Sequence, residues 1–253
     1  MENNKTIPAI RNSVLLAGVE QSGKTYFAER MAEAYIKGNR PALIYNVAKD
    51  SDFANAEICS PLSKDQLYRH TKNKAQQYNV KTLDNLPMFQ DENTGKVLPF
   101  SAFTKFYAGK LVKIYRVKDE PLLFKSFFQY LYNTMIIFDD NRATTRHGLS
   151  HQQIELFSRK NHAGFKYANG KQGVDLFFIY HNLDTVPAEL YDYINRAVLF
   201  QLNRVPDNRI DNPEFSEKIE AAVLELKTLP RFSYIELILR GYPEIKTIKY
   251  EHK

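Results

Sequence analysis

The sequence contains a single cysteine, Cys59, and no tryptophan. One cysteine excludes an intrachain disulfide and a four-ligand zinc site built on cysteine, as is typical of a protein from a reducing compartment. No run approaches the roughly 20 apolar residues that a helix needs to cross a bilayer. The opening stretch MENNKTIPAIRNS lacks the basic and then apolar layout of a secretory signal. We therefore expect a cytoplasmic protein without a membrane span of its own.

The composition allows a sizeable core. Apolar residues make up 43% of the 253 residues and aromatic residues 13%, which favours one large domain over two small ones. We predict a single domain over residues 1–253. Residues at about 50–110 are polar and irregular, and we interpret them as an insertion of short helices and loops.

Positive charge is concentrated in that insertion. The formal net charge is +6, which is compatible with a polyanionic partner. Between positions 64 and 81 a single acid, Asp65, is outnumbered by basic residues, namely Lys64, Arg69, Lys72, Lys74 and Lys81. Such a run is either a solvated face or a contact surface for nucleic acid, and the sequence leaves both open.

Residues 14–25, VLLAGVEQSGKT, carry the strongest chemical signal. In the pattern G-x-x-x-x-G-K-T, glycines let backbone N–H groups converge on phosphate oxygens, lysine meets the β- and γ-phosphates, and threonine binds magnesium. A strand precedes the pattern and a helix follows it until Gly38, which is the context that the pattern requires. We predict a phosphate loop that binds ATP, with Mg2+ on Thr25. The predicted nucleotide-binding residues are Gly18, Val19, Glu20, Gln21, Ser22, Gly23, Lys24, Thr25 and Tyr26.

Apolar runs and helical patterns alternate along the remaining chain, which predicts an α/β fold with a mostly parallel central sheet flanked by helices. The predicted strands are residues 41–47, 110–117, 135–138, 174–182 and 196–202. The predicted helices are residues 120–133, a helix capped by Ser150, and residues 213–229. Two β-like runs at 232–241 and 244–252 predict a hairpin at the sheet edge.

Polar side chains follow two of these strands. Asp139 and Asp140 end the run MIIFDD, and in a parallel sheet they would lie beside the phosphate loop. We predict Asp139 as the carboxylate associated with the metal and Asp140 as the group that polarises the attacking water. His181 ends the next strand and is a candidate sensor of the γ-phosphate. The alternative is that these side chains merely terminate strands.

Arginines are the candidates for stabilising charge on the transferring phosphoryl group, because ring-forming motors often take one from the neighbouring subunit. The candidates are Arg142, Arg146, Arg159 and Arg196, and each can also be an ordinary surface residue.

The order of these parts resembles the FtsK/HerA superfamily of P-loop ATPases, a branch of the RecA-like fold. The pieces that carry the resemblance are GVEQSGKT, MIIFDD and SRKNHAGFKYANGKQGVDLFFIYHNLDTVP. The resemblance implies that Arg159 acts in trans and that His181 stands where the family usually has glutamine. Within the superfamily the chain is most similar to genome-packaging ATPases of membrane-containing phages and to zonula occludens toxin-like proteins.

The resemblance implies a DNA-translocating ATPase that works as a ring, expected to be a hexamer, and packages a phage genome into a capsid or moves mobile-element DNA. Its implied partners are DNA, further copies of the chain, and capsid or membrane-embedded portal or assembly proteins. It would reside in the host cytoplasm or with the virion. The alternatives are a zonula occludens toxin-like ATPase that helps to extrude virions, a nucleotide-gated scaffold with little turnover, and a small-molecule kinase.

Overall fold

The computed structural model of the chain describes residues 12–46, 53, 55–62, 66, 88–115, 124, 128–139, 148–162, 173–203, 210–239 and 245–251. The strands are β1 (Ser13–Ala17), β2 (Ala42–Asn46), β3 (Glu57–Leu62), β4 (Met88–Asp91), β5 (Val97–Pro99), β6 (Leu111–Tyr115), β7 (Thr134–Asp139), β8 (Val174–Tyr180), β9 (Arg196–Leu199), β10 (Tyr234–Ile238) and β11 (Lys246–Tyr250). The helices are α1 (Lys24–Lys37), α2 (Phe103–Phe106), α3 (His151–Arg159) and α4 (Pro213–Leu226). Short 3-10 turns lie at Phe100–Ala102, Phe128–Tyr130, Lys160–His162, Leu183–Thr185 and Ala188–Asp192.

The strands of the described residues form an 11-stranded sheet in the order β11-β10-β9-β1-β8-β7-β2-β6-β3-β4-β5. Its central strands, from β9 to β3, pair in parallel. Both ends are antiparallel, with β10 and β11 at one end and β4 and β5 at the other. The predicted α/β class, the mostly parallel sheet and the C-terminal edge hairpin are therefore confirmed.

Helices cover both faces of the sheet. Side chains alternate along β1, so that Val14 and Leu16 pack in one apolar cluster with α1, while Leu15 and Ala17 pack in the other with α3 and α4. All five residues of β1 are buried. Burial on both faces explains why β1, β7 and β8 read as continuous apolar runs instead of alternating ones.

The ends of two helices follow their predicted signals. The backbone N–H of Gly38, at the end of α1, donates to the carbonyl of Ala34. Ser150 caps α3 through a capping box with Gln153, in which each side chain accepts from the other residue's backbone N–H. A cap of this kind contributes about 1 kcal/mol to stability.

The interpretation of residues 50–110 as short helices and loops is wrong in part, because this segment supplies β3, β4 and β5. Pro61 lies within β3 and Pro99 ends β5, and proline within an apolar run argues against a strand. These strands lie at or near the end of the sheet, where a missing N–H is tolerated, so the sequence signal was misleading. The basic run at 64–81 lies outside the described residues, except for the exposed Gln66.

Two further observations complete the fold. Half of the helix predicted at 120–133 lies outside the described residues. The described half contains the 3-10 turn Phe128–Tyr130. No helix of the described residues combines the length and apolar character needed to span a membrane.

Candidate nucleotide-binding site

The loop after β1 is held at the carboxyl end of the parallel strands. The backbone N–H of Gly18 donates to the carbonyl of Tyr180 at 3.3 Å, at the end of β8, and that of Val19 donates to Gln201 at 2.8 Å, after β9. Both neighbours of β1 therefore anchor the loop. The Gly-rich segment enters α1 from this edge, as the strand-loop-helix prediction requires.

The two glycines of the loop serve different purposes. Gly23 has φ 102°, a left-handed conformation that other residues adopt at a cost. Gly18 does not have a positive φ, so a left-handed torsion is not the reason for glycine at this position. Instead, a Cβ at Gly18 would lie 2.7 Å from Phe200 Cβ and 2.7 Å from Ser22 Oγ. Gly18 is therefore required by close packing against the chain that follows β9.

Lys24 is buried and turned into the loop. Its ammonium donates to the carbonyl of Gly18 at 2.8 Å and to that of Val19 at 2.6 Å, with Ser22 Oγ at 3.5 Å. Burial lowers the pKa of Lys24 to about 8, and the nearby carboxylates of Glu20 and Asp139 oppose this shift. Near pH 8 a lysine with this pKa exists in both its charged and its neutral form. The negative charge of a bound phosphate would favour the charged form.

The start of α1 is suited to an anion. Among the described residues no side chain caps it, and its first turn carries no acidic residue. The first N–H groups of a helix lack intrahelical partners and carry the positive end of the helix dipole. Gln21, at φ 55°, and Gly23 both adopt left-handed backbone conformations, and such conformations occur in the turns whose backbone N–H groups bind anions.

Asp139 and His181 lie at the same edge as the loop. β8 is inserted between β1 and β7, so His181, the residue after β8, falls between the loop and the end of β7. Asp139 is the last residue of β7, and its charge is close enough to act on the pKa of Lys24. The His181 side chain is exposed. The structure thus brings Lys24, Asp139 and His181 together at the carboxyl ends of the parallel strands.

The residues at this edge fit a magnesium ion shared with a nucleotide. Thr25 is in the first turn of α1 and Asp139 ends β7, and hydroxyl and carboxylate oxygens are the ligands that Mg2+ accepts. No group of three or more His, Cys, Asp or Glu side chains gathers in the described parts of the chain. Mg2+ usually binds through one or two protein groups together with phosphates and water.

Arg159 is the last residue of α3, and the residue after it contacts the amino end of β1, away from the phosphate loop. The next residue, Lys160, donates from its ammonium to the hydroxyl of Ser13, the first residue of β1. Ser13 and Gly18 are about 17 Å apart along β1, at roughly 3.3 Å per residue. Arg159 pairs with Glu155 at 2.7 Å, and its side chain is 73% exposed. The contacts of Arg159 and of the residue after it are therefore with Glu155 and with the end of β1 away from the loop, not with the loop itself.

The other candidate arginines differ from Arg159. Arg196 donates to the buried carboxylate of Glu236 on the adjacent strand β10, with Nε at 2.6 Å from Oε1. This ion pair gives Arg196 a structural role within its own subunit. Arg142 and Arg146, like Asp140, lie outside the described residues.

The sequence prediction missed part of the surroundings of the loop. Phe200, Phe232 and Tyr234 line a cavity that begins at Gly23 and continues along α1. They come from the segments around β9 and β10, and no motif connects them to the loop. The apolar side chain of Phe232 is 43% exposed, and no pattern in the sequence indicates this exposure.

Comparison with known proteins establishes the fold. No protein-family model and no curated protein matches the sequence. The DNA-packaging ATPase B204 from Sulfolobus turreted icosahedral virus aligns over 96% of this chain and 98% of its own, with TM-score 0.58 and 13% identity. The genome-packaging NTPase B204 from Sulfolobus turreted icosahedral virus 2, in complex with AMPPCP, aligns over 93% and 96%, with TM-score 0.57 and 13% identity.

A third similar structure is the N-terminal domain of zonular occludens toxin from Neisseria meningitidis, at 11% identity over 96% of this chain and 95% of its own. Its TM-score of 0.39 is too low to establish a shared fold. The suspected resemblance to viral packaging ATPases is confirmed at the level of the fold. The chain therefore has the fold of the P-loop NTPases.

Proposed function

We propose that this protein is a magnesium-dependent ATPase that moves DNA, as a ring of identical subunits, in the packaging of a viral genome. The observation that carries the proposal is the placement of Lys24 and Asp139 at one edge of the sheet, within electrostatic reach of each other. Similar folds belong to proteins described as genome-packaging NTPases, which supports packaging as the purpose of hydrolysis.

The proposed chemistry assigns a role to each residue at the loop edge. The backbone N–H groups of residues 18–26 and the Lys24 ammonium bind the phosphates, and the helix start orients them. Thr25 and Asp139 would hold Mg2+, which neutralises charge on the β- and γ-phosphates. Asp140 would orient the attacking water, and His181, between the loop and β7, would sense the γ-phosphate.

The proposed ring follows from the position of Arg159. An arginine that stabilises the transferring phosphoryl group must reach it, and the residue after Arg159 contacts the end of β1 away from the loop of the same chain. Its 73% exposed side chain is accessible to a second copy. This supports a site completed by the neighbouring subunit, in which neighbouring subunits can hydrolyse in a coordinated order.

The proposal is tested by measuring ATP hydrolysis of the full chain with Mg2+, with and without single- and double-stranded DNA. We expect hydrolysis that needs Mg2+, rises with DNA, and is lost in Lys24→Ala and Asp139→Asn. Leu224→Ala is the matched control, because Leu224 is 64% exposed on α4 and takes no part in the site.

Each other outcome has a definite meaning. Nucleotide binding without hydrolysis under any DNA condition would contradict the motor and support a nucleotide-gated scaffold. DNA-independent transfer of phosphate to a metabolite would instead indicate a kinase. Hydrolysis that persists in Lys24→Ala would contradict the assignment of the loop itself.

A further inference from the structure

A cavity of about 560 Å³ opens beside the phosphate loop, between α1 and the strands β9 and β10. Its walls are mainly aromatic and apolar. The lining residues are Gly23, Tyr26, Phe27, Arg30, Met31, Phe200, Phe232 and Tyr234. A volume in this range suits a small ligand, and apolar walls with a few polar groups are typical of ligand sites.

The cavity is continuous with the loop. A Cβ at Gly23 would lie 3.6 Å from Phe232 Cδ1 and 3.6 Å from Phe200 Cε1, so both rings approach the backbone at the last loop residue before α1. Tyr26 follows Thr25 directly and is 67% exposed. A ligand whose phosphates occupy the loop would therefore have its remaining atoms within reach of these rings.

The direction of a bound nucleotide follows from the strand order. β7, with Asp139 at its end, lies on one side of β1, while β9 and β10 lie on the other. If the γ-phosphate and Mg2+ face Asp139, the nucleoside leaves the loop toward β9 and β10. The cavity is located on that side.

We infer that this cavity holds the nucleobase of the bound nucleoside triphosphate, stacked on Phe232, and that it accepts all four bases. The inference rests on the proposed function of the loop. Stacking on an aromatic ring tolerates any base, because every base has a π-face. Purines are expected to bind more tightly than pyrimidines, because they stack over a larger area.

The polar side chains that the described residues contribute to the cavity suit adenine and guanine alike. Tyr26 and Tyr234 contribute hydroxyls, which both donate and accept hydrogen bonds and so suit either base edge. Arg30 is an exposed side chain that pairs with Glu33 at 3.4 Å. Arg231 lies over the Phe232 ring at 5.0 Å from its centroid, a contact that helps to position the ring.

The test compares ligands that share phosphates and differ in the base. Affinities of the full chain for ATP, GTP, CTP, UTP and inorganic tripolyphosphate are measured by calorimetry in the presence of Mg2+. For the unaltered chain we expect ATP and GTP to bind within about threefold of each other, since stacking reads no base edge. In Phe232→Ala we expect about tenfold weaker binding of ATP and GTP and unchanged binding of tripolyphosphate.

Two further variants separate stacking from damage to the fold. Phe232→Tyr keeps an aromatic ring and should bind all five ligands as the unaltered chain does. Leu224→Ala removes an apolar side chain that is more exposed than Phe232 and should change nothing. A loss of ATP affinity in Phe232→Tyr as large as in Phe232→Ala would overturn the stacking role.

The remaining outcomes distinguish this inference from the function on which it rests. Failure of the unaltered chain to bind both ATP and tripolyphosphate would overturn the proposed function and the base site together. Equal ATP affinity in Phe232→Ala and the unaltered chain, with tripolyphosphate still bound, would overturn the base site alone. A preference of about a hundredfold for ATP over GTP would show that the base edges are read, against the inference.

Discussion

The ammonium of Lys160 donates a hydrogen bond to the hydroxyl of Ser13, at the amino end of β1. This contact joins the end of α3 to the amino end of β1, while the phosphate loop follows the carboxyl end of the same strand. Arg159, the arginine proposed to act in trans, directly precedes Lys160 and so adjoins the end of β1 that lies away from the phosphate loop. In a ring, such a division allows one subunit's arginine to meet the next subunit's loop.

Arg159→Ala is expected to lower ATP turnover by about a thousandfold, as loss of a transition-state arginine does, while ATP still binds. Mixing Arg159→Ala with Lys24→Ala subunits should restore part of the turnover, because some interfaces then combine an intact loop with an intact arginine. Steady-state hydrolysis of the mixture measures this. Glu155→Gln is the control, since it removes the ion pair of Arg159 but keeps the arginine. Mixtures as inactive as the separate variants would contradict a trans role.

Arg196→Ala is expected to destabilise the protein by about 3–5 kcal/mol, because it leaves the buried Glu236 carboxylate without its partner. Arg159→Ala should change stability by less than about 1 kcal/mol, since its ion pair is largely exposed. Urea denaturation of both variants provides the comparison. Replacing both partners, as in Arg196→Met with Glu236→Leu, should recover most of the loss. Equal stability of the two alanine variants would refute the structural role of Arg196.

The central part of the fold could be predicted because its signals are local. β1, β7 and β8 are apolar throughout, since both faces of each are covered, and such runs stand out in the sequence. The loop motif and Ser150 likewise depend on neighbouring residues. Asp139 could be placed beside the loop because acids at the carboxyl ends of parallel strands share one edge of the sheet.

The rest depends on contacts between distant parts of the chain. Strand β5 spans only Val97–Pro99, which is too short to show the alternation of apolar and polar residues that indicates a strand. It is stabilised by pairing with β4. The cavity rings of Phe200 and Phe232 meet α1 only after β9 and β10 join the sheet. In the sequence they resemble ordinary core aromatics, and the packing that makes Gly18 necessary involves the same Phe200.

Gly18→Ala is expected to destabilise the protein by about 1–3 kcal/mol and to weaken ATP binding, because the new Cβ overlaps Phe200 Cβ at 2.7 Å. The serine hydroxyl at position 22 can rotate away, but Phe200 Cβ is fixed to its backbone. Gly38→Ala is the matched control, with φ −80° and no contact below 3.3 Å. Urea denaturation and calorimetric titration with ATP measure the two effects. Similar results for both glycines would contradict the packing argument.

ATP binding is expected to depend on pH through Lys24. In the free protein burial lowers the pKa of Lys24 to about 8, and the phosphates of a bound nucleotide should raise it. Above pH 8 binding must then take up a proton, so the affinity for ATP should fall by up to about tenfold per pH unit and stay level just below pH 8. Titrations in two buffers of different ionisation heat report the proton uptake directly.

The lowered pKa of Lys24 should affect the stability of the free protein in the opposite direction, and this effect provides an independent control. The folded-state pKa of Lys24 lies below its ordinary value of 10.5, so the unfolded chain binds more protons between pH 8 and 10.5. The Lys24 contribution to the free energy of unfolding therefore rises with pH in that window. Lys24→Met should remove both this rise and the proton uptake. If ATP affinity stayed constant from pH 7 to 9.5, the pKa of Lys24 would not be lowered in the free protein, and the predicted proton uptake would be wrong.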